Sequence, residues 1–192
     1  INAASQLTTG GNNCAVGAYA LDACTTGGSN VCMGRSSLSA LTTASDNTAI
    51  GHEAMDACTT GSYNTAVGYQ ALDEIITGTR NVAVGYRCLA GPGDGSHNTA
   101  VGQACMESQT TGEYNACFGQ YAGQNITTGD ENTLIGRGVG INMTTGGENV
   151  MLGCGLGTFG DTLTTGERNV LIGRNVDVGA SDRSDSLVIS AG

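Results

Sequence analysis

Asn64-Thr65-Ala66-Val67-Gly68-Tyr69-Gln70-Ala71-Leu72, and then Asn98-Thr99-Ala100-Val101-Gly102 two intervals further on, decide the reading of this chain. The core of the pattern is Asn, a small residue, two apolar residues and Gly. Its Asn stands at 13, 30, 47, 64, 81, 98, 115, 132 and 149, an interval of 17 throughout. The interval stretches to 20 to reach Asn169 and returns to 17 at Ser186, where Ser-Leu-Val-Ile-Ser replaces the Asn-Val-Leu-Ile-Gly of residues 169–173. Eleven registers therefore cover nearly all of residues 1–192 as one repeat domain. Self-similarity at a fixed period of this size is the mark of a solenoid, in which each unit buries its apolar side only by stacking on its neighbours.

Counting outward from each Asn as offset zero, a second apolar pair recurs at offsets seven and eight, as in Ala54-Met55, Ala71-Leu72, Cys88-Leu89 and Cys105-Met106. Three residues before the next Asn there is usually Gly, preceded by Thr-Thr, as in Thr59-Thr60-Gly61, Thr110-Thr111-Gly112 and Thr127-Thr128-Gly129. Segments of four or five residues between fixed glycines are too short for helices. Each unit reads as strand, Gly corner, short strand and polar turn. The predicted fold is all-β: a parallel β-solenoid, or β-roll, of about eleven 17-residue rungs, each ~4.8 Å above the last.

In-register stacking gives the repeated Asn a structural role. Asn13, Asn30, Asn47, Asn64, Asn81, Asn98, Asn115, Asn132, Asn149 and Asn169 form a predicted ladder, each amide donating to the next and so satisfying polar groups at a buried corner. Offset two reads Ala15, Cys32, Ala49, Ala66, Ala83, Ala100, Cys117, Leu134, Met151, Leu171 and Val188. Offset three reads Val16, Met33, Ile50, Val67, Val84, Val101, Phe118, Ile135, Leu152, Ile172 and Ile189. Every entry is apolar, yet successive residues on a strand point to opposite faces. One face fills the solenoid and the other needs a partner, which three copies around an axis would provide. On this reading Ala66→Asp abolishes assembly.

Composition narrows the function. Leu, Ile, Val and Phe total 35 of 192 residues while charged residues are only 12%, a balance that suits repetition better than an ordinary globular core. The net charge of −10, with 17 acidic side chains against 7 basic ones and no basic run, argues against a nucleic-acid partner. No apolar run reaches the ~20 residues that span a bilayer, so membrane insertion is not expected. Eight cysteines without C-x-x-C spacing favour an oxidising, extracellular setting.

The Asn64–Leu72 and Asn98–Gly102 units with their Thr-Thr-Gly turns resemble repeats of bacteriophage tail-fibre proteins. More loosely, they are similar to the Asn-x-Ala-x-Gly repeats of trimeric autotransporter adhesin heads. The resemblance runs across essentially the whole chain. It implies a trimer of parallel β-rolls used as a shaft or an adhesive head, on a virion tail fibre or a cell-surface filament. The chain shows no membrane anchor, coiled-coil stalk, receptor-binding tip or self-cleaving chaperone domain, so the expected part is the fibre body.

Individual residues fit that reading. Cys88 and Cys105 share offset seven on adjacent rungs and are candidates for a disulfide, while Cys14, Cys24, Cys32, Cys58, Cys117 and Cys154 are left unassigned. His52 and His97 stand without partner ligands, Gly91-Pro92-Gly93-Asp94-Gly95 reads as a divergent turn, and no metal or other cofactor is expected. Asp22, Asp56 and Asp73 form one spaced, solvated column rather than a catalytic pair, and no nucleophile–base cluster is present, so enzymatic activity is not expected. Two alternatives stay open: an adhesin or tail-fibre head that binds a host-surface glycan or receptor, and a Thr-array surface for ice or sugar. Finally, Gly192 falls at offset six and Ile1 at offset five, so a following copy would enter nearly in phase. Two expectations fit that phase: head-to-tail stacking, with Ile1 and Ala3 meeting Leu187, Val188 and Ile189, or a segment of a longer fibre, in which the match follows from the repeat alone.

Overall fold

The computed structural model describes residues 2–154, 163–174, 176 and 179–189. Among them there is no helix. Eleven strands occur in chain order: β1 (Cys14–Val16), β2 (Val31–Met33), β3 (Thr48–Ile50), β4 (Thr65–Val67), β5 (Val82–Val84), β6 (Thr99–Val101), β7 (Ala116–Phe118), β8 (Thr133–Ile135), β9 (Val150–Cys154), β10 (Val170–Arg174) and β11 (Leu187–Ile189). They form one parallel sheet in the order β1 to β11. Equivalent repeat positions lie opposite one another, as in Thr65↔Val82, Ala66↔Ala83 and Val67↔Val84. The chain is a β-solenoid with one rung per repeat.

The 20-residue interval leaves the stack unbroken, since β9 and β10 pair from Val150↔Val170 to Cys154↔Arg174. The three extra residues therefore fall between β9 and β10, an interval that includes residues 155–162, which lie outside the described residues.

Nine of the strands are three residues long, and two special conformations flank most of them, whereas β9 and β10 continue through the offset-four Gly to offset five. The residue before each Asn is left-handed, as at Tyr63 (φ 62°) and His97 (φ 62°), and turns the chain into the strand. At offset four, glycines such as Gly68 (φ 136°) adopt a conformation that L side chains rarely enter. A Cβ on Gly68 would also lie 2.4 Å from the Gly85 carbonyl oxygen, so the tight stack admits no side chain there.

Among the described residues the short second strand expected at offsets seven and eight is not present. Left-handed residues at offsets six and eight, such as Ser36 and Leu38 or Gln70 and Leu72, curl the backbone there into a turn. Rung-to-rung bonding persists through that turn: the Ser36 N–H donates to the Ala18 carbonyl (2.9 Å) and the Leu38 N–H to the Ala54 carbonyl (3.0 Å). Apolar spacing alone does not distinguish an extended pair from a curled one, because both bury the same side chains.

The core is a set of vertical columns. Offset two (Ala49, Ala66, Ala83, Ala100, Leu134), offset seven (Ala54, Ala71, Cys88, Cys105), offset eight (Leu38, Met55, Leu72, Met106) and offset eleven (Leu41, Cys58, Ile75, Ile126, Met143) are buried. Ala66 is thus inside the solenoid. The expectation that Ala66→Asp probes assembly is corrected: that change would put a carboxylate in the core, and the outward column is offset three.

Candidate functional site

The Asn column combines three kinds of hydrogen bond. Each Asn Oδ1 accepts the backbone N–H of the register residue one rung on: Asn30 to Asn13 (2.9 Å), Asn64 to Asn47 (2.9 Å), Asn98 to Asn81 (3.0 Å) and so on up to Ser186 to Asn169 (3.1 Å). Each Nδ2 donates to a carbonyl in the turn that closes its own rung, as Asn64 does to Gly78 (2.8 Å) and Asn98 to Gly112 (2.8 Å). The amide-to-amide donation expected at every step is found at some steps only, including Asn115 to Asn98 (3.1 Å) and Asn132 to Asn115 (3.0 Å). The constant link is therefore backbone to side chain. At the last register Ser186 brings no amide, and its hydroxyl donates to the Ser184 carbonyl (3.4 Å).

A second side-chain ladder escaped the sequence reading. At offset fifteen the Ser45, Ser62 and Ser96 hydroxyls and the Asp130 carboxylate accept the N–H of the equivalent residue one rung earlier, as Gly28 N–H to Ser45 Oγ (3.0 Å) and Glu113 N–H to Asp130 Oδ1 (2.7 Å) show. The residue type varies along this column, so no motif marks it; only the shared ability to accept a bond is kept.

The Thr-Thr pairs divide into two roles. The first Thr donates to the carbonyl one rung on, as Thr42 to Thr59 (3.2 Å), Thr110 to Thr127 (2.9 Å) and Thr127 to Thr144 (3.1 Å). The second, in Thr26, Thr43, Thr60, Thr111, Thr128 and Thr145, is exposed. The exposed Thr surface is thus one column wide.

In the structure the eight cysteines are free thiols, Cys88 and Cys105 among them. Both side chains lie inside the solenoid, where Cys88 Sγ donates to the Ala100 carbonyl (3.2 Å) and Cys105 Sγ to the Cys117 carbonyl (3.3 Å). The hydrogen bond with Cys105, together with burial, pushes the Cys88 thiol well above its usual range. Burial likewise pushes Cys58 up to about 11 and Cys32 up to about 12. Such thiols pack as small apolar groups. Only Cys14 and Cys154 are exposed, on β1 and at the end of β9.

In the carboxylate column at offset nine, Ser5 donates to Asp22 and Ser39 to Asp56. Asp56 is followed directly by Asp73 with no hydroxyl between them. Burial first, and then Asp56, Glu53 and Glu74, raise the Asp73 carboxyl to about 6 against the opposing pull of Arg87. Asp94 accepts from the backbone N–H groups of Ile76 (3.0 Å) and Thr77 (2.6 Å), which makes it a turn-forming residue. His52 stacks on Tyr69 (5.4 Å between centroids) and His97 on Tyr114 (4.8 Å). Among the described residues no group of three or more His, Cys, Asp or Glu is placed to hold a metal ion.

The feature left without a partner is the outward face of the sheet. Offset three is exposed or half-buried over its whole length, with Val16 at 54% and Phe118 at 40%. Offset one beside it (Cys14, Val31, Thr48, Thr65, Val82, Thr99, Ala116, Thr133, Val150, Val170, Leu187) carries no charge at any rung. The residues named for head-to-tail contact lie at the two ends of the stack. Ala3 and Val188 pack against the core, Leu187 and Ile189 are exposed, and Ile1 lies outside the described residues.

Comparisons with protein-family models, with curated proteins and with solved structures each find no match.

Proposed function

We propose that this chain is the body of a rigid fibre, in which three copies pack around a common axis through the outward faces of their sheets. The observation that carries this reading is the pair of uncharged columns at offsets one and three, which runs through all eleven rungs of a chain with net charge −10. Contiguous exposed apolar area of this extent is normally an interface. Ten steps of ~4.8 Å by four residues of ~3.3 Å give a face of about 600 Å² per copy, near the size each partner contributes to a stable contact. The dense stack of hydrogen-bonded rungs provides stiffness, and an extracellular filament or a virion tail fibre is the setting that suits such a shaft. Among the described residues no helix is long and apolar enough to cross a membrane.

End-to-end stacking extends the same proposal: β11 of one copy would meet the first rung of the next, with Ser186 as the one register that offers no amide to the joint. The partner is another copy of the chain, and no cofactor or catalytic step enters. Light scattering and electron microscopy of the purified protein test this directly. Trimers or filaments support it, and a monomer at every concentration overturns it.

One observation favours a second reading as a surface for ice or glycans, namely the exposed column of second threonines. Its single-column width speaks against a two-dimensional lattice match. A thermal-hysteresis assay and a glycan array would reveal such a surface.

A further inference from the structure

Two further exposed columns border the uncharged stripe, one on either side, and they differ in charge. Along the margin at offset five stand Ala18, Arg35, His52, Tyr69, Tyr86, Gln103, Gln120, Arg137, Cys154 and Arg174, with no acidic residue. The other margin, the residue before each Asn, contains Asp46, Glu131, Glu148 and Asp185 together with Arg80 and Arg168. Arg168 is held within its own chain by Asp185 (2.7 Å) and Glu167 (2.9 Å). Among the described residues Asp46, Glu131 and Glu148 make no ion pair, and Arg137 reaches only the Gln120 side chain (3.2 Å). Unpaired carboxylates thus lie along one side of the stripe and an unpaired guanidinium on the other.

From this pattern the geometry points to a specific partner and register: a second copy of this chain, related by rotation about an axis parallel to the stack, with unlike margins meeting rung for rung. Rotation about that axis keeps heights equal and brings the offset-five margin of one copy against the opposite margin of the next. His52 then meets the neighbour's position 46, an Asp. Tyr86 meets position 80, an Arg whose guanidinium lies over Tyr63 of its own chain at 5.4 Å and would extend that stack, and Arg137 meets position 131, a Glu. Position 69 meets position 63, both Tyr. Arg174 meets Arg168, whose charge is already paired in its own chain. Turning one copy end over end instead brings the arginine margin against itself and leaves the carboxylates facing one another. Complementarity of this kind selects the partner and its register more than it adds raw affinity.

This inference rests on the self-associating fibre reading, and the test separates the two. Arg137 and Glu131 are exposed and lie on opposite margins of one rung, so changing them leaves the fold of the chain intact. Arg137→Glu alone and Glu131→Arg alone should each raise the concentration at half-assembly by about tenfold, because like charges then meet at every interface. The double variant Arg137→Glu/Glu131→Arg should return to within about threefold of the unaltered protein.

The two exposed cysteines provide an independent reading on the unaltered chain. Cys14 and Cys154 lie eight rungs, or ~38 Å, apart, and in the proposed arrangement a short bismaleimide cannot join Cys14 of one copy to Cys154 of another. A double variant as weak as the single ones, or a Cys14–Cys154 link between copies, overturns the register while self-association stands. A chain that never self-associates overturns both.

Discussion

Ala83 and Val84 are adjacent on β5, yet one belongs to the interior and the other to the surface. The Ala83 column is sealed within the solenoid, while the Val84 column faces outward along all eleven rungs. Both are apolar and both repeat at the same interval. The difference shows that a strict repeat can build two apolar walls, of which only one is closed by the chain itself. The polar partner of the inner wall is the Asn column, whose amides accept and donate within the stack. The outer wall has no such internal partner.

The sharpest way to break this comparison is to place the same charge on each wall. Ala83→Asp puts an unpaired carboxylate in the core and should destabilise the fold by about 3–5 kcal/mol, seen as loss of the cooperative melt. Val84→Asp should leave the melt of the dilute chain within about 0.5 kcal/mol. It should weaken assembly about a hundredfold, read by light scattering across a dilution series. Equal effects on folding at both positions would remove the distinction between the walls.

A change at Asn81 tests whether the inner wall depends on its amides. Asn81→Ala leaves the Asn98 N–H and the Gly95 carbonyl without their partners, now at 3.0 and 2.9 Å. A loss of about 2–4 kcal/mol in chemical denaturation is expected, since buried groups left unsatisfied cost more than the net worth of the bond. Asn81→Ala melting like the unaltered chain would show that the ladder decorates the stack rather than holding it.

A smaller effect is expected at Asp73. Its carboxyl is raised from 3.8 to about 6, chiefly by burial and then by Asp56, Glu53 and Glu74, so the folded chain keeps a proton that the unfolded chain has released. This contribution to stability is fullest at low pH and declines as pH rises from about 4 to about 6. Asp73→Asn should flatten the dependence of melting temperature on pH across that window and leave the variant the more stable form at neutral pH. A parallel pH profile for the two proteins would contradict the assignment.

The smallest effect separates two neighbouring threonines. Thr42→Val removes the bond to the Thr59 carbonyl (3.2 Å) and should lower stability by about 0.5–1.5 kcal/mol. Thr43→Val, on the exposed column, should stay within about 0.5 kcal/mol of the unaltered chain.

Much of this arrangement is legible in the residues alone. The 17-residue spacing of Asn and Gly reports in-register stacking, because only one column geometry places like residues at like heights. Leu21 and Leu38 were legible as buried but not as left-handed, since burial depends on spacing whereas φ depends on how the turn is held by the rungs on either side. Cys88 and Cys105 were legible as neighbours, but not as thiols bonded to carbonyls. A shared column brings two sulfurs near each other and leaves open whether each finds a closer acceptor. Ser45 and Asp130 were not legible as members of one ladder, since only their positions over a backbone N–H unite them.

The sequence by itself determined the period, the parallel register and the two apolar columns, because a residue repeated at a fixed interval in a stack must lie above its own kind. Only the tertiary structure decided which column turns inward, where the chain curls in place of a second strand and which threonine hydroxyl remains exposed. Those outcomes depend on the direction of each Cα–Cβ bond relative to the rung above and below, a quantity that exists only once the rungs are stacked.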